Sequence, residues 1–347
     1  MLTDIFANRY ADVPLWTAFT ETEKRLVVQL WRLASEDLVP HVMAGGKQNP
    51  NVEPFWKDIQ ERLSRELGMT SLSALTYTYN YTFVGNHTME HVCGAWMLQE
   101  FDAQGGIMSC DRYMKERLSL IELAFRRRDR ELEIEKLEDA KLVEALRERF
   151  RTNPKIKGLP VPPPGPSKPM RDVAAHVERV THELNERLRQ AKCRLHYHNG
   201  FIQHSTDELT IAQIEQPFWS LVADAKWKNV DTDMKEAVDR RNANDRDPAL
   251  YAAKALESTI KVISDERGWT TGSERGAANY IANLVSKNNG SFIDVWEGEI
   301  IRSFFSNVRN PLGHGPGSAP PVALSEAQDN WAIDFCMGWI KSLISRL

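Results

Sequence analysis

Between Lys157 and Pro169 the chain places six prolines and two glycines, and no continuous helix or sheet can run through such a stretch. Each proline holds φ near about −65° and removes a backbone donor, so the segment is stiff and poor in hydrogen bonds. The 347 residues are thereby cut into pieces that must fold on either side of it. Residues 1–156 are expected to form an N-terminal helical domain and 157–169 a semi-rigid linker. Residues 170–212 are expected to form a small connector, and 213–347 a C-terminal domain.

Hydrophobic spacing fills in these pieces. Residues 20–40 and 51–67 follow a helical period, separated by Gly45-Gly46 and a loop from Asn49-Pro50 to Glu53-Pro54. The stretch from Thr76 to Phe83 is rich in β formers and reads as a strand. Ser109 to Arg151 reads as one helix about 60 Å long, capped by Ser109 or Asp111. Leu118, Ile121, Phe125, Leu132, Leu142, Leu146 and Phe150 fall on its drier side. Its middle, Arg126 to Glu131, is almost purely charged. That run fits a solvated helix laced with ion pairs one turn apart, or a projecting arm whose arginines touch RNA or a partner.

Beyond the prolines, Val173 to Lys192 is expected to be helical. Asn199-Gly200 then separates two short β-type runs, the local pattern of a hairpin whose turn residues both need positive φ. From Gln213 onward six helical patterns alternate with short loops: Pro217–Lys228, Asp231–Arg241, Pro248–Arg267, Glu274–Lys287, Asp294–Arg309 and Leu324–Leu347. Trp331, Phe335, Trp339 and Leu343 recur every fourth residue and are expected to be the buried stripe of the last helix. The fold class is therefore mainly α, with one small β-hairpin connector and a helical bundle at the C-terminus.

Composition excludes several classes. Hydrophobic residues make up 42% and tryptophans number ten, enough for packed cores. No run approaches the length of a membrane span and the start lacks a signal-peptide pattern, so a cytoplasmic protein without membrane contact is expected. Cys93, Cys110, Cys193 and Cys336 are scattered without a CxxC pair, as reduced thiols would be. The net charge is −4, and residues 213–347 hold 15 Lys and Arg against 18 Asp and Glu. Broad coating of nucleic acid is therefore excluded, and any RNA contact must be confined to a focused site.

Three constellations carry possible chemistry. Arg309-Asn310-Pro311-Leu312-Gly313-His314-Gly315 sets a phosphate-binding cation beside a group that moves protons near neutral pH. Asn310 precedes a proline, so the helix is expected to stop near Arg309 and leave His314 in a glycine-rich turn. The plainer account of the same residues is a helix stop with a favourable terminal arginine. His87-Thr88-Met89-Glu90-His91 matches the HxxEH pattern of zinc peptidases, but no downstream acidic ligand is singled out, and the plainer account is a histidine pair packed against Trp96 or hydrated on a surface helix. His196, His198 and His204 are expected to be surface histidines of the hairpin, and Glu257 and Lys261 to form a helix ion pair. No cofactor or metal site is expected.

Three C-terminal stretches resemble the abortive-infection C-terminal family of the HEPN superfamily. These are Asp247 to Lys261, Ser264 to Trp269, and the Arg309-Asn310 turn ending in His314-Gly315. The start, Asp4-Ile5-Phe6-Ala7-Asn8-Arg9-Tyr10, is similar to AbiJ-type abortive-infection N-terminal domains. The resemblance implies a HEPN-type bundle with a metal-independent endoribonuclease site built from Arg309, Asn310 and His314 and supported by Glu257 and Lys261. It also implies an RNA substrate and a homodimer through the C-terminal bundles, in a prokaryotic defence protein whose activating or inhibitory partner the sequence does not identify. The short gap between Arg309 and His314, stiffened by Pro311, leaves open a non-catalytic RNA-binding or protein-interaction module. A zinc hydrolase using His87 and His91 is a further alternative.

Overall fold

In a computed structural model of the chain, residues 5–42, 46–79, 83–102, 108–152, 163–204, 214–313 and 323–347 are described. They are mainly α-helical and divide into two compact units, Asp4–Ile202 and Gln203–Leu347. Among the described residues no helix is long and apolar enough to cross a membrane.

The first unit is built around one long helix. Helix α1 spans Phe6–Arg9, α2 Glu21–Arg32 and α3 Val52–Glu66. Strands β1 (Thr76–Tyr79) and β2 (Phe83–Asn86) pair antiparallel with Thr76 opposite Asn86, so the β-rich stretch is a hairpin rather than one strand. Helix α4 follows at Met89–Met97, and α5 runs unbroken from Cys110 to Thr152. Ser109 caps α5, its Oγ accepting the Arg112 N–H at 3.1 Å. The rival cap, Asp111, instead accepts the N–H groups of Leu15 and Trp16.

Every residue of α5 from Tyr113 to Arg126 is buried, because α1, α2 and α3 all pack on that half. Such a segment has no solvent face, so its charged residues must find partners inside. The charged run expected to be solvated begins where this burial ends: of it only Arg126 is buried, Arg130 is exposed and the rest are half-buried, with Arg127 and Glu131 paired one turn apart as expected. Arg126 is buried, Arg127 pairs with Asp58 at 2.7 Å and Glu131 at 2.9 Å, and Arg128 reaches Glu135 at 3.0 Å. Leu142 and Leu146, assigned to the dry side, are exposed.

Glu122 organises the buried charge. Its carboxylate accepts Arg9 Nη1 at 3.0 Å and Nη2 at 2.5 Å, Arg126 Nη2 at 2.5 Å and the Ile202 N–H at 2.7 Å. The same arginines donate to backbone carbonyls, Arg9 to Ile202 at 2.9 Å and Arg126 to Gly200 at 2.7 Å. Both guanidiniums lie over the Phe201 ring, at 4.8 and 4.3 Å from its centroid. One carboxylate thus joins α1, α5 and the turn of the second hairpin.

Helix α6 (Lys168–Gln190) returns along α5. The Ser167 N–H donates to Asp139 at 2.8 Å, and Met170 and Val177 close over Leu132. The proline-rich stretch therefore joins two helices of one unit, and the units part instead between Ile202 and Gln203. Of the expected linker, residues 157–162 lie outside the described residues.

Strands β3 (Leu195–His198) and β4 (Phe201–His204) form the second hairpin, with Asn199 and Gly200 at φ 44° and 88° as their turn requires. His196 and His198 are buried, not on the surface. The reason is that β3 is covered on both sides. Asn185 of α6 brackets Tyr197 through its N–H and carbonyl, and the Tyr197 hydroxyl donates to Asp129 of α5 at 2.6 Å. Burial pushes the His196 imidazole down to about 4.

The second unit contains helices α7 (Gln216–Leu221), α8 (Lys228–Asn242), α9 (Pro248–Glu266), α10 (Ala277–Val285), α11 (Val295–Phe304), α12 (Asn310–Gly313) and α13 (Glu326–Ile344). Helix α9 is central, and α8 and α13 pack against it. Ala249, Ala252, Ala253 and Ala255 keep its covered sides thin, which lets the neighbours approach closely. The buried line of α13 is Ala332, Ile333, Cys336, Met337, Ile340 and Leu343. Trp331 is exposed and Phe335 and Trp339 are half-buried, so the expected aromatic stripe is a border rather than the core. Phe335 stacks instead on Phe304 of α11 at 4.6 Å.

Replacing Glu122 by Ala strands two buried guanidiniums and is expected to cost about 3–5 kcal/mol. Glu36→Ala, which opens the exposed Arg32–Glu36 pair, should leave the denaturation midpoint close to that of wild type. Chemical denaturation of both variants checks the contrast.

Because the folded His196 titrates below its unfolded value, the unfolded chain binds the extra proton between about pH 6.5 and 4. Stability is therefore full above that window and falls as the pH drops through it. Lowering the pH from 7 to 5 should remove about 2 kcal/mol through this group, and His196→Asn should flatten that dependence in denaturation curves.

Candidate functional site

The site residues converge on the open side of α9. Its N-terminus is set by Asp247, at φ 59°, and Pro248, whose missing N–H costs nothing in a first turn. The side of α9 that neighbours leave uncovered carries Leu250, Tyr251, Lys254, Ser258 and Lys261, with Glu257 lying deeper beside them. These positions are three or four residues apart and so share one face.

Helix α11 is started by a capping box of Asp294 and Glu297, and Arg346 donates to the same Glu297 at 2.6 Å, which lowers its carboxyl. The helix widens into π-helical turns over Phe305–Arg309 and then continues as α12 through Pro311 to Gly313. This corrects the expected stop at Arg309. Asn310 adopts a helical conformation, φ −65° and ψ −45°, and Pro311 enters at the start of a fresh turn, where no donor is required of it.

The π turns bring Arg309 onto the α9 face. Its Nη2 donates to Glu257 Oε2 at 3.3 Å and its Nη1 to Asn310 Oδ1 at 3.4 Å. Its buried Nε has no hydrogen-bond partner among the described residues. Lys261 Nζ meets the other Glu257 oxygen at 2.8 Å. Arg309, Asn310, Glu257 and Lys261 thus stand together, and His314 lies outside the described residues. Two cations share one carboxylate, both contacts of the arginine are long, and its Nε donor is unused. An incoming anion would meet net positive charge and a guanidinium whose present bonds are weak.

Sequence reasoning passed over the aromatic residues here. Lys254 and Arg240 lie over the Tyr251 ring at 4.1 and 4.3 Å, and Lys261 lies over Tyr280 of α10 at 5.7 Å. Burial raises the carboxyl of Asp233, which faces Lys254 and Ser258. The signal was the spacing of Tyr251, Lys254, Ser258 and Lys261 on one helix, which becomes informative once the rest of that helix is known to be covered.

The HxxEH residues are arranged differently from a zinc site. His87 precedes the cap of α4, Thr88, so the two histidines do not occupy successive turns of one helix. Their rings stack at 4.1 Å, and Glu90 pairs with His41 at 2.9 Å. Among the described residues no group of three His, Cys, Asp or Glu could hold a metal ion.

Comparison with known families places the first unit. The model of AbiJ N-terminal domain 4 matches residues 4–220, running through the proline-rich stretch and the second hairpin. The chain belongs to this AbiJ-type, abortive-infection family. No curated protein and no solved structure matches it.

Because the Arg309 and Lys261 side chains are 30% and 43% exposed, water can replace the carboxylate between them. Glu257→Gln is therefore expected to lower stability by less than about 1 kcal/mol in chemical denaturation, in contrast to Glu122.

Proposed function

We propose that the chain acts in antiphage defence by abortive infection and that its C-terminal unit is a HEPN-type, metal-independent endoribonuclease. Membership of an AbiJ family supports the defence role. The reading of the C-terminal unit is carried by Arg309, held loosely against Glu257 and Asn310 with an unused Nε donor beside Lys261.

In this reaction the 2′-oxygen of the ribose attacks the adjacent phosphorus and the bond to the 5′-oxygen breaks. His314 takes the 2′-hydroxyl proton or returns one to the leaving 5′-oxygen. Arg309 holds the phosphoryl oxygens as negative charge builds, Asn310 positions these groups, and Glu257 orients Arg309. Lys261 adds a phosphate contact. One histidine serves the two proton transfers poorly, so two chains paired through their C-terminal units would supply a second set.

Incubation with total cellular RNA in EDTA should yield 2′,3′-cyclic phosphate and 5′-hydroxyl ends, with DNA left intact. Arg309→Ala and His314→Ala should lose at least about a hundredfold in single-turnover rate while retaining RNA binding. Products with 5′-phosphates that require magnesium would exclude this chemistry. RNA binding without cleavage by the wild-type protein would favour a binding module on the same face.

A further inference from the structure

We infer that the open face of α9 is a track for single-stranded RNA, in which Tyr251 and Tyr280 stack bases and Lys254 and Lys261 hold the backbone on either side of Arg309. The ligand class rests on the ribonuclease reading; the track itself rests on how these side chains are placed.

Helix α9 is the central helix of its unit, covered on its other sides by α8 and α13. Tyr251, Lys254, Ser258 and Lys261 are all half-buried. From Tyr251 to Lys261 the face is about 15 Å long at 1.5 Å per residue, and the two lysines stand about 10 Å apart along it. That length suits a few nucleotides lying along the helix. Glu257 and Arg309 sit between the lysines, so a phosphate at Arg309 would have a cation to each side.

Each end of the face pairs a tyrosine with a cation: Tyr251 with Lys254 and Arg240, and Tyr280 with Lys261. This is the composition that unpaired nucleotides require, a flat ring for the base and a cation for the adjoining phosphate. Arg240 is fixed by Glu236 at 2.8 Å and by the Arg246 carbonyl at 3.0 Å, so it holds one contact of the Tyr251 ring in place. Lys254 ends in a flexible ammonium. On moving to a phosphate it uncovers the ring it now lies over, exchanging a cation–ring contact for an ion pair and leaving a face for a base. Duplex RNA keeps its bases stacked on one another and offers nothing to these rings. The track therefore selects unpaired strands even though the unit as a whole is acidic.

The test is fluorescence anisotropy with the full chain and a short fluorescein-labelled 2′-O-methyl RNA of mixed sequence, which lacks the attacking hydroxyl and so reports binding alone. Tyr251→Leu and Tyr280→Leu should each weaken Kd about fivefold or more, whereas Tyr251→Phe should bind as wild type does. Lys254→Gln should weaken binding and reduce its salt dependence. Unlabelled duplex RNA should compete poorly. Melting curves confirm that each variant is folded, and Lys254→Gln with the duplex competition keeps the test usable if a leucine variant is not. If wild type binds the probe and both leucine variants bind equally well, or duplex competes as well as single strand, the track is wrong and the ribonuclease reading stands. If wild type does not bind the probe, both are wrong.

Discussion

The first unit depends on a single carboxylate sealed from water. Glu122 lies within the half of α5 that has no solvent face, and an isolated charge there would be prohibitively costly. It is tolerated because Arg9 and the Ile202 N–H converge on it from segments far apart in the sequence, while Arg126 reaches it from the next turn of α5. Arg9 and the Ile202 N–H can reach Glu122 only when the N-terminal turn and the second hairpin are both docked on α5. The ion cluster is thus less a source of net stability than a condition that only one arrangement of these three segments satisfies.

The second unit sets two cations around one carboxylate as well, with a different outcome. Around Glu122 the nitrogens approach to 2.5 Å and both arginines are buried. Around Glu257 the arginine stands back at 3.3 Å with its side chain 30% exposed, and the lysine is 43% exposed. The difference arises from the backbone. Arg9 and Arg126 belong to elements packed directly on each other, whereas Arg309 is carried by widened helical turns at the rim of its bundle. The first cluster is closed to ligands, and the second retains the capacity to exchange its carboxylate for a phosphate.

The sequence was legible where local rules operate without competition. The length of α5, its Ser109 cap, the Asn199-Gly200 turn and the order of the C-terminal helices follow from period, capping and positive φ. It misled where a local rule met a tertiary one. The prolines read as a domain boundary, but the flanking helices fold back on each other through Leu132, Met170 and Val177, which no local pattern reveals. Arg126 and His196 look like surface residues by type and are buried because both sides of their elements are covered. Pro311 is a helix breaker in a regular helix and compatible with a new turn begun after a π-helical one. In the candidate site the charged residues were visible as a motif. Tyr251 and Tyr280 were not, because their meaning depends on which face of α9 remains open.

The outer half of α5 has a consequence for how this family of domains can vary. Past Leu132 it carries exposed Ile134, Leu137 and Leu142 and touches α6 rather than the core around Glu122. The paired helices are in effect a stalk whose length the rest of the unit does not fix. Whole turns removed from both helices together would shorten the stalk while keeping each remaining contact in register, since one turn is 3.6 residues on either side. Reach, rather than core composition, is the property most free to drift in such a domain.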